Sequence, residues 1–383
     1  MKSLYRLAAS VAALAVAAAS VPAPLAAQAK QAPAPLRFGS WGVDLGARDT
    51  SVRPGDSFFD YANGGWYKQT VIPADLPVAG VALDTHLLTQ AQLRSVVEDS
   101  ARNPSTTSAR QVGSLYASFM DEARLESLGS APLDADLAAV KAIASKSEMA
   151  RLMGATTGTF GRSFFKFGVT PDPKGTDLYT TAIEIGGLGL PDRDYYLADQ
   201  FKAQREAYAG HVARTFELIG WENGPAAAQA VLELETRVAE ASWSRAEQRD
   251  PTKMFKEMSL EALRAHAADF DWTAFLAGVG APPIERLIVT QDSAVPKIAR
   301  IIAETPLDTL KAWEAFHIAD QASPYLSKRF VDNKFAFTRT ISGQQQNRPR
   351  WERGVGLVDG VLGEVLGKEY VARHFPASSK AKM

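Results

Sequence analysis

Apolar residues recur at steps of three and four positions through most of this chain, and this spacing leaves few folds open to it. Such steps place side chains on one face of an α-helix, because the helix turns once in 3.6 residues. Residues 108–128, 201–221 and 226–246 show the pattern. It is clearest in residues 81–101, where the apolar positions are Leu83, Leu87, Leu88, Ala91 and Val96. The sequence therefore predicts a mainly α fold.

One stretch breaks the helical spacing. Residues 164–169 and 178–185 are rich in aromatic and β-branched side chains, and turn-forming residues at 171–175 separate them. Two such runs joined by a short polar loop are typical of a β-hairpin. The predicted fold class is therefore mainly α with a small β-hairpin, without a repeat of fixed length.

The composition excludes several classes of protein. The 383 residues include no Cys, so disulfide-built domains and Cys-ligated metal sites are impossible. Hydrophobic residues make up 46% of the chain, which is too high for a disordered protein. The net charge is −1 and no long run of one sign occurs, so we expect no nucleic-acid partner.

The N-terminus has the pattern of an export signal. Two basic residues precede an apolar run at 7–19, and Ala27 and Ala29 supply the small residues that a signal peptidase reads. The run is shorter than the roughly 20 residues that a membrane-spanning helix needs. We therefore expect residues 1–29 to be a cleaved signal peptide, and the mature protein to be periplasmic or extracellular without membrane contact. An uncleaved N-terminal anchor is the alternative.

Residues 30–66 contain a leader followed by an aromatic cluster. Residues 30–53 are rich in Pro, Ala and Gly and have no periodic pattern, which predicts a flexible leader. Four aromatic residues then fall within a short stretch: Phe58, Phe59, Tyr61 and Trp66. Such a cluster needs a partner surface to bury it.

The last predicted helix carries an unusual stripe of glycines. Gly356, Gly360, Gly363 and Gly367 lie at steps of four, three and four, away from the apolar face. Each glycine inside a helix costs about 0.5–1 kcal/mol relative to alanine. We therefore expect another segment to pack closely against this stripe. The alternative is that the glycines mark a broken helix.

The five histidines give no complete metal-binding pattern. No two are near enough in the sequence to share one helix face, so a two-histidine zinc helix is absent. His266 with Asp269, and His317 with Asp320, have the spacing of neighbours on one helix face, which would be half of a metal site. His317 also follows an apolar stripe, which favours a buried histidine with a hydrogen-bond partner.

Other candidate catalytic patterns are weak. Ser163 and Lys166 have a serine–lysine spacing, but their segment is predicted to be a strand and the companion motifs do not occur. Two acid pairs are interpreted as solvated surface: Glu233 with Glu235, and Asp192 with Asp194. For the second pair, the alternative is a loop-fixing ion pair within Asp192-Arg193-Asp194. From the residues alone we assign no catalytic, cofactor-binding or metal-binding residue.

Four stretches of the sequence form a recognisable series. They are Pro54 to Trp66 with Ile72 to Asp75; Gly187 to Leu197; Arg249 to Pro251 with Met258 to Leu260; and Arg348 to Trp351 followed by Val358 to Gly360, Leu362 to Glu364 and Tyr370 with Val371. Together they resemble the N-terminal region of the M13 (neprilysin-like, PepO-like) zinc metallopeptidases. Their order and spacing agree over residues 54–383, and the stretch from Gly187 is very specific.

The resemblance implies a bilobal, mostly helical fold. Within the N-terminal region at 54–383, residues 54–84 would belong to the catalytic lobe. Residues 85–345 would form the helical lobe, and 346–383 would be a return helix towards the catalytic lobe. The resemblance also implies peptide substrates and one zinc ion in the full-length protein. The missing catalytic lobe would then be a partner of this chain.

The sequence departs from the family in two places. Members carry a His-Glu-x-x-His helix, a downstream Glu ligand and an Asn-Ala-Tyr/Phe segment, and none of these occurs in the 383 residues. Zinc peptidase chemistry needs two His and a carboxylate on the metal, with a Glu as base. We therefore expect the chain alone to bind no zinc and to be inactive. Relatives also often place an Arg near residues 76–79, which here are Leu-Pro-Val-Ala.

Two alternatives to a peptidase fragment follow from the same residues. A helical lobe without its catalytic half could be a non-catalytic module that binds peptides or a protein partner. It could also be an unstable remnant, in which the exposed aromatic cluster would promote aggregation.

Overall fold

The chain is described by a computed structural model over residues 43–156, 159–175 and 177–383. The predicted signal peptide at 1–29 lies outside the described residues. So does the part of the predicted leader that precedes residue 43.

Helices account for most of the described residues. They comprise eighteen α-helices and four short 3-10 helices. The α-helices are α1 (Phe58–Gln69), α2 (Val81–Arg102), α3 (Thr107–Met120), α4 (Glu122–Leu128), α5 (Asp134–Ala142), α6 (Lys146–Ala155), α7 (Asp194–Leu197), α8 (Lys202–Leu218), α9 (Gly224–Ala241), α10 (Arg245–Gln248), α11 (Pro251–Met254), α12 (Leu260–His266), α13 (Trp272–Val279), α14 (Val295–Glu304), α15 (Leu307–Ala322), α16 (Lys328–Ser342), α17 (Arg350–His374) and α18 (Ala377–Lys382). The 3-10 helices are Leu45–Ala47, Ala131–Leu133, Asp199–Phe201 and Ser323–Tyr325. In the part of the chain that the structure covers, no helix combines the length and apolar content needed to cross a membrane.

Short polar side chains begin many of these helices. Ser57 accepts a hydrogen bond from the backbone in the first turn of α1, and Ser244 and Glu247 form a capping box at the start of α10. These bonds satisfy N–H groups that a helix start leaves unpaired. Gly280 and Gly343 follow α13 and α16 with φ of 70° and 75°, a conformation that glycine adopts without strain.

Four strands form one mixed sheet. They are β1 (Phe165–Pro171), β2 (Tyr179–Ile185), β3 (Lys256–Met258) and β4 (Leu287–Val289), in the spatial order β1-β2-β4-β3. β1 and β2 are antiparallel, with Phe165 opposite Ile185, so the predicted hairpin is confirmed. β4 runs parallel to β2, and β3 is antiparallel to β4. These two added strands go beyond the prediction, because three residues give no period to detect.

The described chain divides into two compact units. The first comprises the described residues up to Val71, with Ala79–Val96 and Tyr370–Met383. The second comprises Ile72–Val78 and Val97–Glu369. The second unit contains the whole sheet and most of the helices.

Asp49 organises the start of the first unit. Its backbone N donates to the O of Tyr61 at 2.9 Å, and Nζ of Lys68 donates to its carboxylate at 2.5 Å. The hydrogen bond from Lys68 lowers the pKa of Asp49 to about 2. These bonds attach the described end of the predicted leader to α1. In the same unit, the Tyr370 hydroxyl donates to Oε1 of Gln92 at 2.7 Å.

Aromatic side chains form the centre of the second unit. Phe164 stacks on Trp313 with ring centroids 4.0 Å apart, and Phe165 contacts Trp272 at 4.7 Å between centroids. All four side chains are fully buried. Large rings bury more apolar area than other side chains, so these contacts hold α13 and α15 against the sheet.

Two glycines allow α6 and α13 to cross at short distance. A Cβ placed on Gly154 would lie 2.0 Å from the O of Phe275. A Cβ placed on Gly278 would lie 2.0 Å from the O of Arg151. Carbon and oxygen atoms that are not bonded do not approach so closely, so any side chain at either position forces the backbones apart.

The structure corrects the prediction for the glycines of α17. Gly354, which is not part of the predicted stripe, is the tight position, because a Cβ there would lie 2.9 Å from Cε2 of Tyr116. No described atom outside the helix comes within 4 Å of a Cβ built at three stripe positions: Gly356, Gly360 and Gly367. Close packing on the stripe is therefore wrong for the described residues. Leu362 has φ −122° and ψ 30°, so the helix is broken there, as the alternative expected.

Candidate functional site

The predicted half-sites for a metal do not assemble in the structure. Nε2 of His266 lies 2.9 Å from the backbone O of Asp292, and Nε2 of His317 lies 2.7 Å from Oε1 of Glu235. The interpretation of His317 as a buried histidine with a hydrogen-bond partner is confirmed. Across residues 43–156, 159–175 and 177–383, no three His, Asp or Glu side chains come together as metal ligands. Zinc therefore has no donor set in this part of the chain.

The other predicted patterns also resolve into structural contacts. Oγ of Ser163 donates to the backbone O of Phe165 at 2.6 Å, which leaves the serine–lysine spacing without chemistry. Glu233 is exposed as predicted, but the prediction of solvated surface is wrong for Glu235, which is fully buried. Asp192 forms an ion pair with Arg245 of α10, and not with the adjacent Arg193 that the alternative expected.

Glu235 is the centre of a buried hydrogen-bond network. It lies on the buried face of α9, one turn from Val231 and one from Val238. Its carboxylate accepts four hydrogen bonds from side chains: the hydroxyl of Tyr196 at 2.7 Å, the hydroxyl of Tyr208 at 2.9 Å, Nε1 of Trp313 at 3.1 Å and Nε2 of His317 at 2.7 Å. These donors compensate for the removal of the carboxylate from water.

Burial fixes the protonation of this network. It raises the pKa of Tyr196 and of Tyr208 well above the ordinary value, and the negative charge of Glu235 adds to the rise. Both hydroxyls therefore remain donors. Burial also lowers the pKa of His317, and the positive charge of Arg162 lowers it further. A neutral His317 must carry its proton on Nε2, because that nitrogen faces the carboxylate.

The network holds the turn at Gly187–Leu190. The Tyr196 hydroxyl accepts hydrogen bonds from the backbone N of Gly189 at 3.0 Å and from the next backbone N at 2.9 Å. A Cβ on Gly189 would lie 1.8 Å from the Tyr208 hydroxyl, so only glycine fits there. This turn begins the stretch of sequence, from Gly187, that is most specific for the family resemblance. Its backbone is therefore held in place through Glu235. The signal that could have revealed this role is an acid on the apolar face of a predicted helix.

A second buried carboxylate, Asp320, joins α8, α15 and α16. Nε2 of His211 lies 2.7 Å from its Oδ1, and Nζ of Lys334 lies 2.5 Å from its Oδ2. Burial alone would raise the pKa of Asp320, but the hydrogen bond from His211 and the charge of Lys334 hold it well below its usual range. The predicted pairing of His317 with Asp320 is not formed, because His317 faces Glu235.

Glu314 on α15 is a third buried acid, and it has few partners. Its Oε1 accepts a hydrogen bond from the backbone N of Arg162 at 3.2 Å. Its Oε2 is buried and has no hydrogen-bond partner among the described residues. Burial raises the pKa of Glu314 to about 8. The side chain is therefore mostly neutral at pH 7.

A cleft of about 580 Å³ opens beside the Gly187–Leu190 turn in the second unit. We call it the Arg193 cleft. The side chains that give it positive charge are Arg162, Lys166 and Arg193. One acid, Asp192, also lines it, and Oδ2 of this residue lies 2.7 Å from Nε of Arg245. Because this acid is already paired, the cleft presents net positive charge and is a candidate site for an anionic group.

Two residues of the predicted aromatic cluster, Phe58 and Phe59, are exposed in the first unit, whereas Tyr61 and Trp66 are half-buried. Phe58 is 71% exposed and Phe59 is 59% exposed. Tyr67 and Val71 of the same unit are also exposed. Adjacent apolar side chains that face solvent mark a surface that contacts another protein or domain.

The segment at 72–78 has a fixed backbone in the second unit. The backbone O of Ala74 accepts hydrogen bonds from the backbone N of Gln345 at 2.8 Å and of Gln346 at 3.0 Å. Leu76 is buried. This part of the segment is therefore held in place by its backbone at Ala74 and by the buried side chain of Leu76.

Comparison with known proteins gives the chain its family. The sequence model of peptidase family M13 matches residues 54–383. The chain belongs to peptidase family M13. The resemblance read from the four stretches is therefore confirmed.

Curated relatives of this M13 chain include an endothelin-converting enzyme and an endothelin-converting enzyme-like protein. Endothelin-converting enzyme-like 1 of Mus musculus is 24% identical over 353 residues. Endothelin-converting enzyme 1 of Homo sapiens is 25% identical over 358 residues. Each alignment covers 88% of this chain and 46% of the relative, so the chain spans about half the length of the curated relatives it matches.

Solved structures of M13 proteins share the fold. The zinc metalloprotease Zmp1 of Mycobacterium tuberculosis, in complex with an inhibitor, matches with a TM-score of 0.82 and 31% identity, over 88% of this chain and 53% of that one. PepO of Lactobacillus rhamnosis matches with a TM-score of 0.71 and 16% identity, over 86% and 53%, and shows the fold alone. The predicted fold class, a mainly α M13 N-terminal region with a small β element, is confirmed.

Proposed function

We propose that this chain is the N-terminal part of an exported M13 zinc metalloendopeptidase, which hydrolyses peptide bonds as a whole protein. The observation that carries the proposal is the match of residues 54–383 to the family, together with coverage of only about half of each relative. In this arrangement residues 54–84 belong to the catalytic lobe, 85–345 form the helical lobe, and 346–383 are a return helix towards the catalytic lobe.

The proposal assigns zinc chemistry to residues outside these 383. A peptidase zinc site needs two histidines, a carboxylate ligand and a glutamate that takes a proton from the attacking water. The sequence contains no His-Glu-x-x-His, and the buried histidines His211 and His317 are each committed to a carboxylate by a 2.7 Å hydrogen bond. The chain alone should therefore hydrolyse nothing.

The catalytic lobe is the proposed partner of the first unit. Phe58 and Phe59 give this unit an exposed aromatic surface. Such a surface is typical of a contact with another domain. A catalytic lobe that covers this surface would remove it from water and gain about 25 cal/mol for each Å² of apolar area buried.

Enzyme assays of the full chain test the proposal. The purified chain is incubated with equimolar zinc and a quenched fluorescent peptide library, with the related metalloprotease Zmp1 as positive control. We expect no turnover by the chain under conditions where the control is active. Zinc-dependent turnover that a chelator abolishes would overturn the assignment of the chemistry to a missing half.

A non-catalytic module that binds peptides or a protein partner is the second candidate function. The observation that favours it is the Arg193 cleft, which lies wholly within the second unit and needs no catalytic lobe to form. The DNA that follows codon 383 distinguishes the two candidates. An in-frame His-Glu-x-x-His downstream supports the peptidase part, whereas a stop codon followed by an unrelated gene supports the module.

A further inference from the structure

The Arg193 cleft has cations without salt-bridge partners. Among the described residues, no carboxylate lies within 4.0 Å of the charged nitrogens of Arg162, Lys166 or Arg193. Glu184 sits opposite Lys166 across the β1–β2 pair without forming an ion pair. Positive charge that is not neutralised by the protein attracts an anionic ligand.

Backbone carbonyl groups hold the two guanidinium groups in place. Nη1 of Arg193 donates to the O of Ser242 at 2.9 Å, and Nη1 of Arg162 donates to the O of Leu188. Nε of Arg193 is buried and has no hydrogen-bond partner among the described residues. Carbonyl groups fix the orientation of a guanidinium but leave its full charge, so the cleft is preorganised for an anion.

Nearby acids do not cancel this charge. Asp192 is paired with Arg245, and Glu314 behind Arg162 has its pKa raised to about 8 by burial. Glu247 keeps its charge and is attracted to Arg193, but it lies outside the lining of the cleft and forms no ion pair with Arg193 among the described residues. The lining therefore keeps an excess of positive charge at neutral pH.

The rest of the lining suits a peptide rather than an inorganic ion. Phe167, Ile185, Leu188 and Trp243 supply apolar walls, and the volume of about 580 Å³ is in the range of sites that hold several side chains. An inorganic anion needs no apolar wall. A carboxylate on a peptide uses both the cations and the apolar surface.

We propose that the Arg193 cleft is a non-catalytic binding site for a peptide carboxylate, with Arg193 and Lys166 as its cationic groups. The carboxylate is either the C-terminus of a peptide or an acidic side chain. The site is contained in one unit of this chain and does not depend on zinc or on hydrolysis. If the peptides do not bind to this cleft, the proposed peptidase role is unaffected. If the peptidase role is wrong, the proposed binding site is unaffected.

Fluorescence polarisation with three labelled peptides tests the site on the full chain. The peptides are tetra-alanine with a free C-terminus, tetra-alanine amide, and Ala-Glu-Ala-Glu amide. We expect the amide without Glu to bind at least roughly tenfold more weakly than one of the acidic peptides, because it lacks the carboxylate. Binding of the free acid alone identifies a C-terminal site, and binding of the Glu peptide identifies an acidic side chain. Equal affinity for all three, or no binding at millimolar concentration, would refute the proposal.

Charge-removing variants locate the binding to this cleft. Lys166→Gln is the first variant, because Lys166 is exposed and its loss does not threaten the fold. Arg193→Gln is the second, and its circular dichroism must match the parent. The control is Lys202→Gln on α8, which removes one exposed charge outside the lining. We expect both cleft variants to weaken binding by roughly tenfold and the control to leave it unchanged. Equal loss in all three variants, or no loss in either cleft variant, would place the binding elsewhere.

Discussion

The fold tolerates the buried carboxylate of Glu235 because four side chains donate hydrogen bonds to it. Tyr196, Tyr208, Trp313 and His317 come from α7, α8 and α15. Without the carboxylate, these donors would be left unpaired where water does not reach, and each such group costs about 1–3 kcal/mol. Glu235 therefore contributes to stability mainly because it prevents four buried donors from being left without an acceptor.

Truncation of Glu235 measures this penalty. We expect Glu235→Ala to lower the free energy of unfolding by about 3–5 kcal/mol. Glu233→Ala is the matched control, because Glu233 is exposed on the same helix two positions away, and it should stay within about 0.5 kcal/mol of the parent. Urea unfolding followed by tryptophan fluorescence gives both values. Equal losses in the two variants would contradict the role given to Glu235.

Glu314 should make the stability of the second unit depend on pH. Its pKa is 4.5 without the protein environment and about 8 in the fold, because burial disfavours the charged form. Between these values the unfolded chain has released a proton that the folded chain retains, so stability falls as the pH rises. The expected fall from this group is about 1.4 kcal/mol for each pH unit.

The variant Glu314→Gln tests this dependence, because it keeps the shape and cannot titrate. Urea unfolding of parent and variant at pH 5 and pH 8 isolates the contribution of Glu314. We expect the variant to gain stability relative to the parent on going from pH 5 to pH 8. A stability difference that is the same at both pH values would show that the folded protein does not hold this proton.

At the residue scale, the sequence predicts the buried histidine better than the buried acids. His317 follows an apolar stripe, which indicates a core position. The same reasoning indicates a core position for Glu235, because it lies four positions after Val231 and three before Val238 on one helix face. Its hydrogen-bond donors, however, lie 27 to 82 positions away in the sequence, and no local pattern brings them together.

Glycine has opposite effects in two helices of this fold. At the crossing of α6 and α13, Gly154 is required because a Cβ would strike the backbone of Phe275. On α17, a Cβ on Gly360 would meet open space. The same substitution should therefore change stability in opposite directions at the two positions.

Alanine at these two positions tests the argument. We expect Gly154→Ala to lower the free energy of unfolding by about 1–3 kcal/mol, because the helices must separate. Gly360→Ala should raise it by about 0.5–1 kcal/mol, because alanine loses less backbone entropy in a helix. Urea unfolding of the two variants provides the comparison. A loss at Gly360 would mean that the stripe is packed after all.

Secondary-structure elements that are long enough to show a repeating pattern can be predicted from the sequence, and three-residue elements cannot. The β1–β2 hairpin was predictable from two runs of aromatic and β-branched residues. β3 and β4 were not, because a three-residue strand is defined by its neighbours in space. The stripe on α17 was misjudged because spacing shows which glycines share a face but not whether that face is covered.

On the scale of the whole molecule, the N-terminal sequence predicts export. We expect the full-length chain, expressed in a bacterium with an export pathway, to be recovered with Lys30 as its first residue. Ala29→Lys should block this cleavage, because a signal peptidase needs a small residue there. Gln28→Leu, at a position that the peptidase does not read, is the control. N-terminal sequencing decides the matter, and a parent chain that keeps residues 1–29 would favour the uncleaved anchor.

The Glu235 network has a consequence for motion near the Arg193 cleft. The amide protons of Gly189 and Leu190 are bonded to the Tyr196 hydroxyl, which itself donates to the buried Glu235 of α9. Deuterium should therefore reach these two amides only when the second unit opens as a whole. These bonds restrict local motion on that side of the cleft. A ligand that binds there contacts a surface that is already in its bound conformation. The protein therefore loses little conformational entropy on binding.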